Sequence, residues 1–265
     1  MSEQYVKHVF DTYWSEANPK IKSWNYLSQT IYEILKGELG TFSGKKIAEI
    51  GSGSGRISAR LASEGAEVTA FDISSEALKI SKQMFTRMAL KGTHIKGSMF
   101  EIGIRPERYD VVWNAGVLEH FSKTEQACAL KEMARICKAD GCVITLHPYA
   151  ESVLYRMGKK ALERLGKWEY GKLEPIKSMK DLAMDSGLHL VKEYPDDFFI
   201  QIIEGPRRFI PRLGPWFSDG IGYAMIRARN RVMFPLQVAM DRLCARLLGG
   251  YLIVSIMKKK AVDVS

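Results

Sequence analysis

Lys45-Lys46-Ile47-Ala48-Glu49-Ile50-Gly51-Ser52-Gly53-Ser54-Gly55-Arg56-Ile57-Ser58 is the stretch that decides the fold. A short apolar run ends in three alternating glycines, and Ile57, Ala59, Leu61 and Ala62 then continue at helical spacing. That pattern reads as strand, tight turn, helix. Glycines at 51, 53 and 55 remove the side chains that would keep a ligand off the backbone. The junction is expected to turn unpaired N–H groups and the positive end of a helix toward the carboxyl edge of a sheet. Ligands of open α/β sheets bind at that edge. Glu49 is positioned to accept a hydrogen bond from the turn or from a bound ammonium.

Working outward, the alternation repeats. Residues 67–72 form a second strand, Ser74 or Ser75 caps the helix that carries Ala77, Leu78, Ile80, Met84 and Phe85, and residues 93–97 form a weaker strand. A strong strand at 109–114, a helix at about 124–138 and a fifth strand at 141–147 follow. Such alternation predicts βαβ units, a mostly parallel sheet and, from right-handed crossovers, helices on both faces. Beyond Pro148 come a helix near 151–164, a linker with Gly166, Gly171 and Pro175, a helix at about 178–186 and a strand at 188–194. Residues 222–247 are expected to be helical, with a closing strand at 250–257. Phe10, Tyr13, Trp14, Trp24, Leu27, Ile31, Ile34 and Leu35 recur at helical spacing in the first forty residues. The expected organisation is an N-terminal helical cap at 1–40, a cofactor-binding core at 41–200, a basic and aromatic helical insertion at 201–249 and a final core strand at 250–258.

With 265 residues, 46% apolar and 26% charged, the chain has the composition of an ordinary globular protein. Its first residues lack the apolar stretch of a secretory signal, so a cytoplasmic location is expected. Cys128, Cys137, Cys142 and Cys244 form no CxxC pair and read as buried thiols, with no structural metal. Net charge is +9, and residues 201–265 hold 11 Lys and Arg against 4 Asp and Glu. This local excess points to an acidic partner or to a solvated face.

The glycine spacing separates two classes of cofactor. A dinucleotide fingerprint requires GxGxxG, but the sixth position is Arg56 counted from Gly51 and Ser58 counted from Gly53. Asp72 ends the second strand 17 residues after Gly55, where a carboxylate reaches the two hydroxyls of a ribose lying across the turn.

Glu49-x-Gly51-x-Gly53-x-Gly55, then Phe71-Asp72, then Asp110-Val111-Val112-Trp113-Asn114-Ala115-Gly116-Val117-Leu118-Glu119-His120-Phe121 resembles the "type 11" branch of class I S-adenosylmethionine (SAM) dependent methyltransferases. The resemblance covers about residues 44–147. It implies a Rossmann-like, doubly wound, seven-stranded sheet, mostly parallel, whose last strand is antiparallel and inserted beside the sixth. It implies SAM as cofactor, with Gly51 and Gly53 near its methionine part, Asp72 at its ribose, and Asn114, Ala115 and Gly116 on the methionine side. Glu49, Ser52, Gly55, Ile73, Ser98 and Met99 complete the expected cofactor contacts. Where the family usually carries an Asp for the adenine amino group this chain reads Gly97-Ser98-Met99, so that contact falls to Ser98 or the backbone.

Methyl transfer from a sulfonium is an in-line displacement in which the protein positions the nucleophile and, where necessary, removes its proton. His147, at the end of the fifth strand, is the first candidate base, and His120 the second. Tyr13, Trp14, Tyr149, Tyr155, Arg207 and Arg208 are the candidate substrate contacts. The expected acceptor is a small or lipid-like molecule, anionic or neutral, methylated at oxygen; the basic and aromatic run in 201–248 is a substrate lid or a peripheral membrane contact, and nucleic acid is disfavoured. The competing readings are a SAM-binding protein without transferase activity and an NAD(P)-dependent oxidoreductase.

Overall fold

The computed structural model describes residues 3–15, 24–168, 173–174, 176–201 and 234–259. Its strands are β1 (Lys46–Ile50), β2 (Glu67–Asp72), β3 (Thr93–Lys96), β4 (Tyr109–Ala115), β5 (Cys137–Pro148), β6 (Leu188–Asp196) and β7 (Leu252–Lys259). They form one seven-stranded sheet in the order β3-β2-β1-β4-β5-β7-β6. The first five strands are parallel, and β7 runs antiparallel to both neighbours, β5 and β6. The described helices are α1 (Glu3–Ser15), α2 (Tyr26–Leu39), α3 (Arg56–Ser63), α4 (Ser75–Arg87), α5 (Lys123–Ile136), α6 (Val153–Arg164), α7 (Lys180–Asp185) and α8 (Phe234–Leu248).

The two-residue period of β1 and β4 divides the core between the sheet's faces. Ala48, Ile50 and Val112 join Leu130 and Met133 of α5 on one side. Ile47, Val111 and Trp113 join Ile34 of α2 and Leu61 of α3 on the other. Caps fix the helix starts: Asn25 accepts from Ser28 N–H, Ser74 from Ala77 N–H, and Ser122 with Glu125 forms a capping box that begins α5 one residue before the sequence pattern suggested.

The described residues depart from the sequence reading in two places. The chain passes from α5 straight into β5 at Cys137, without a separate turn before Gly141, because Cys137 already pairs with Tyr109. At Gly141 the backbone lies so close to β4 that a Cβ would sit 2.7 Å from the Asp110 carbonyl oxygen. Cys128 is exposed on α5, so only Cys137 of the four thiols is fully buried. Of the expected helix over 222–247, residues from Phe234 onward are described and are helical.

Candidate functional site

Strand order reverses between β1 and β4, and the carboxyl ends of the two strands open a crevice there. A cleft occupies it. The turn after β1 contributes Gly51 and Gly53, the end of β2 contributes Phe71, Asp72 and Ile73, and the segment after β3 contributes Gly97 and Met99. Ala115, Gly116, Val117 and Phe121 follow β4, while Glu3, Val6, Phe10 and Trp14 of α1 close the opposite wall. Those four α1 positions, at i, i+3, i+7 and i+11, share one helix face.

The glycine turn is held differently from the expectation. Gly51 N–H and Ser52 N–H both donate to the Phe71 carbonyl, at 2.8 and 3.0 Å, and Gly55 N–H donates to Ser52 O at 2.9 Å. Gly53 N–H donates to Asp72 Oδ2 at 2.7 Å. These four donors are therefore engaged within the chain and do not form the open nest that a pyrophosphate needs. The physical reason is that β2 runs directly beside β1, so its terminal carbonyl and carboxylate reach the turn first.

Gly53 and Gly55 are glycines for different reasons. At Gly53 (φ 52°) a Cβ would lie 2.7 Å from Trp14 Cζ2, inside the cleft. At Gly55 (φ 65°) it would lie 2.0 Å from Ser81 Oγ of α4, away from the cleft. Gly55 is thus required by helix packing. Gly55→Ala is expected to destabilise the fold by about 2 kcal/mol, from the left-handed backbone and the forced shift of α4. Thermal unfolding checks this, with the SAM affinity of the folded fraction unchanged.

Electrostatics favour a cation. Glu3 and Asp72 are the only charged side chains among the cleft's lining residues, and Phe10, Trp14, Phe71 and Phe121 supply aromatic surface. Burial pushes the Asp72 carboxyl up, against backbone N–H bonds from Ser74, Gly53 and Ile73. The Ser74 bond, to Oδ1, is 2.8 Å. Gly53 N–H bonds Oδ2 and Ser74 N–H bonds Oδ1, and the carboxylate lines the cleft wall.

Other expected cofactor residues stand behind the wall. Glu49 is buried and accepts from Ser58 Oγ of α3 at 2.5 Å, and burial pushes its pKa up to about 8. The ordinary carboxyl value is 4.5, so Glu49 makes native stability fall as pH rises from about 4.5 to about 8. Glu49→Gln is expected to flatten that slope in urea unfolding measured across the interval. Asn114 is fully buried and its Nδ2 donates to the Ile50 carbonyl, tying β4 to β1. Ser52 is buried, and Ser98 Oγ accepts from Phe100 N–H, bracing the segment that presents Met99.

Neither histidine is among the lining residues. His147 is wholly buried, with Nδ1 3.2 Å from Glu119 Oε2. His120 packs edge-on against Phe10, with ring centroids 5.1 Å apart, and burial lowers its pKa. Tyr13 stacks on Trp14 at 5.0 Å outside the cleft. Tyr149 donates to Glu151, and Tyr155 stacks against Trp168 and Tyr251. Arg207 and Arg208 lie outside the described residues. Sequence reasoning missed Glu3, Val6, Phe10, Phe71, Gly97, Val117 and Phe121 as lining residues.

The family model for a methyltransferase domain matches residues 47–141, the segment that builds every wall of this cleft except α1. Residues 47–141 are thus a methyltransferase domain. A ubiquinone biosynthesis O-methyltransferase of Nitrosomonas europaea is 28% identical to this protein over 183 residues, covering 66% of this chain and 77% of that one. A protein of the same name from Photobacterium profundum is 27% identical over 145 residues, and the chain spans 61% of its length. The magnesium protoporphyrin IX methyltransferase of Synechocystis PCC 6803, solved with bound SAH, superposes with TM-score 0.56 at 15% identity, covering 88% of this chain and 82% of that one. The cyclase SpnF superposes as well, with TM-score 0.57 at 15% identity over 88% of this chain and 81% of its own, so the fold by itself carries more than one chemistry.

Proposed function

We propose that this protein moves the methyl group of SAM to an oxygen atom of a small, lipid-like acceptor. The observation that carries the cofactor half is the cleft's charge: two carboxylates, four aromatic rings and no Lys or Arg among its lining residues. SAM supplies an activated methyl group on a positively charged sulfur. Gly51, Gly53, Ala115 and Gly116 leave room for its methionine part, Asp72 and Ile73 take the ribose, and Met99 with the Ser98 segment takes the adenine. The N-terminal cap, through Phe10 and Trp14, closes the cleft against water, which strengthens the attraction between Asp72, Glu3 and the bound cation. The segment 201–249, which includes Arg207 and Arg208, is assigned to the acceptor, together with Tyr149 and Tyr155.

Oxygen as the acceptor atom rests on the relatives named for O-methylation at 27–28% identity. The deprotonating group in this reading is His120. Burial lowers its pKa, and its ring packs edge-on against Phe10, which lines the cleft. His147, fully buried against Glu119, serves as a positioning residue. Transfer of labelled methyl from SAM to phenols carrying an alkyl tail, run beside matched amines and thiols, tests the reading. Product on the phenol, with His120→Gln lowering kcat at unchanged SAM affinity, is expected. Product on the amine alone would remove the oxygen assignment.

A further inference from the structure

We infer that α6 and α8 together form a surface that docks on an anionic lipid bilayer. The inference does not depend on the acceptor proposed above. On α6, Val153, Leu154, Met157 and Leu165 are exposed, Met157 by 64%. At 3.6 residues per turn they occupy one arc of about 120°. Arg156, Lys160 and Arg164 form an exposed i, i+4, i+8 ridge along the edge of that arc, while Leu162 is buried on the inward side. α8 repeats the arrangement. Met240, Leu243, Leu247 and Leu248 are exposed, Leu247 by 74%, with Arg242 and Arg246 beside them and Asp241 and Ala245 buried inward.

The two helices meet end to end. At Gly249, just after α8, a Cβ would lie 3.1 Å from Ser152 Cα, just before α6. Gln201 clamps the junction: its Nε2 donates to the Gly249 carbonyl at 3.0 Å and its Oε1 accepts from Ser152 Oγ at 2.7 Å. The start of α6 and the end of α8 are thereby held together, so the two exposed apolar stretches flank one junction.

Charge decides the occupant. The acids on the two helices do not add to the exposed surface charge: Glu163 pairs with Lys159, and Asp241 is buried, accepting from Phe199 N–H. Arg156, Lys160, Arg164 and Arg246 stay exposed at the surface, while Arg242 pairs with Asp196 at 3.4 Å. Exposed aliphatic tips bordered by Lys and Arg match the boundary between anionic headgroups and acyl chains. Protein hot spots rest instead on Trp, Tyr and Arg anchors in pockets, whereas the large exposed side chains here are Val, Leu and Met. No helix among the described residues is long and apolar enough to cross a membrane, so contact through this surface is peripheral. The surface lies just beyond the carboxyl end of β5, the sheet edge on which the cofactor cleft opens.

Co-sedimentation of the full chain with vesicles of phosphatidylcholine, with and without phosphatidylglycerol, tests the inference. At low salt the protein is expected to pellet with the anionic vesicles about tenfold more than with the neutral ones, and salt should release it. The double variant Leu154→Glu, Leu247→Glu is expected to lose binding about tenfold, and Lys160→Glu, Arg246→Glu to lose its salt-sensitive part. SAM affinity equal to that of the unmodified chain shows that both variants are folded. Three results would overturn the inference: no binding to anionic vesicles, equal binding to both vesicle types, or binding that both folded variants retain. A dimer in light scattering that the same variants dissolve, without vesicle binding, would assign the surface to a second copy of the chain and also overturn it.

Discussion

Replacing Asp72 with alanine is expected to weaken SAM binding at least a hundredfold while leaving the chain folded. The carboxylate is held by two backbone donors, Gly53 N–H at 2.7 Å and Ser74 N–H at 2.8 Å, which fix both oxygens at the cleft wall. In the proposed site its remaining lone pairs accept from the ribose hydroxyls. A hydrogen bond to a charged group contributes about 1.5–3 kcal/mol, so two lost bonds amount to about 3–6 kcal/mol. At about 1.4 kcal/mol per factor of ten, that is a loss of roughly a hundredfold or more. The fold should tolerate the change, because burial already disfavours this carboxylate. Asp72→Asn, which keeps one acceptor oxygen, should fall between the two. Titration calorimetry reads the affinity and thermal unfolding reads the fold; an Asp72→Ala protein binding SAM within threefold of the original would remove the ribose assignment.

His147→Leu is expected to destabilise the protein by about 3–5 kcal/mol, because it leaves the buried Glu119 carboxylate without its partner. Burial alone would raise the Glu119 pKa, but the bond from His147 and the nearby histidines hold it below the ordinary value of 4.5. With the folded pKa depressed, this group's contribution is present above about pH 4.5 and is lost as pH falls through the folded value. The double variant Glu119→Leu, His147→Leu should recover most of the single variant's loss, since an apolar pair leaves no buried charge. Urea unfolding of the two singles and the double measures the coupling. Additive losses would show that the pair does not act as a unit. Turnover per folded molecule in His147→Leu separates positioning from catalysis: a base would abolish it, whereas a positioning residue would alter affinity and stability first.

Much of the fold is legible in the sequence because local and tertiary signals agree in β1, α3 and β2. Ile47, Ala48 and Ile50 are apolar on both faces, as a strand covered by helices on each side must be, and the glycines end it where the sheet ends. The place of β7 between β5 and β6 was available only through the family resemblance, since periodicity reports that a strand exists and not which neighbour it takes. The site divides in the same way. Gly51, Gly53 and Asp72 announce themselves by spacing, but spacing does not distinguish Gly55, pressed against Ser81, from glycines that face a ligand. Glu49, Asn114 and His147 are polar residues at strand ends, which in one dimension look alike whether the side chain meets the cleft or the core. Their bonds to Ser58, Ile50 and Glu119 show three that turned inward. The α1 wall was half legible: Phe10 and Trp14 stand out as aromatics, whereas Glu3 and Val6 join them only once the helix face is known.

The backbone of the turn bears most directly on the central claim. Because the N–H groups of Gly51, Ser52, Gly53 and Gly55 are engaged within the chain and the cleft's lining residues carry two acids and no base, the site should take a cation and refuse a pyrophosphate. Titration of the full chain with SAM and, separately, with NAD measures this in one experiment. Saturable one-to-one binding of SAM with no detectable heat from NAD is the predicted result. Binding of NAD as tight as that of SAM, or no binding of SAM by folded protein, would contradict it.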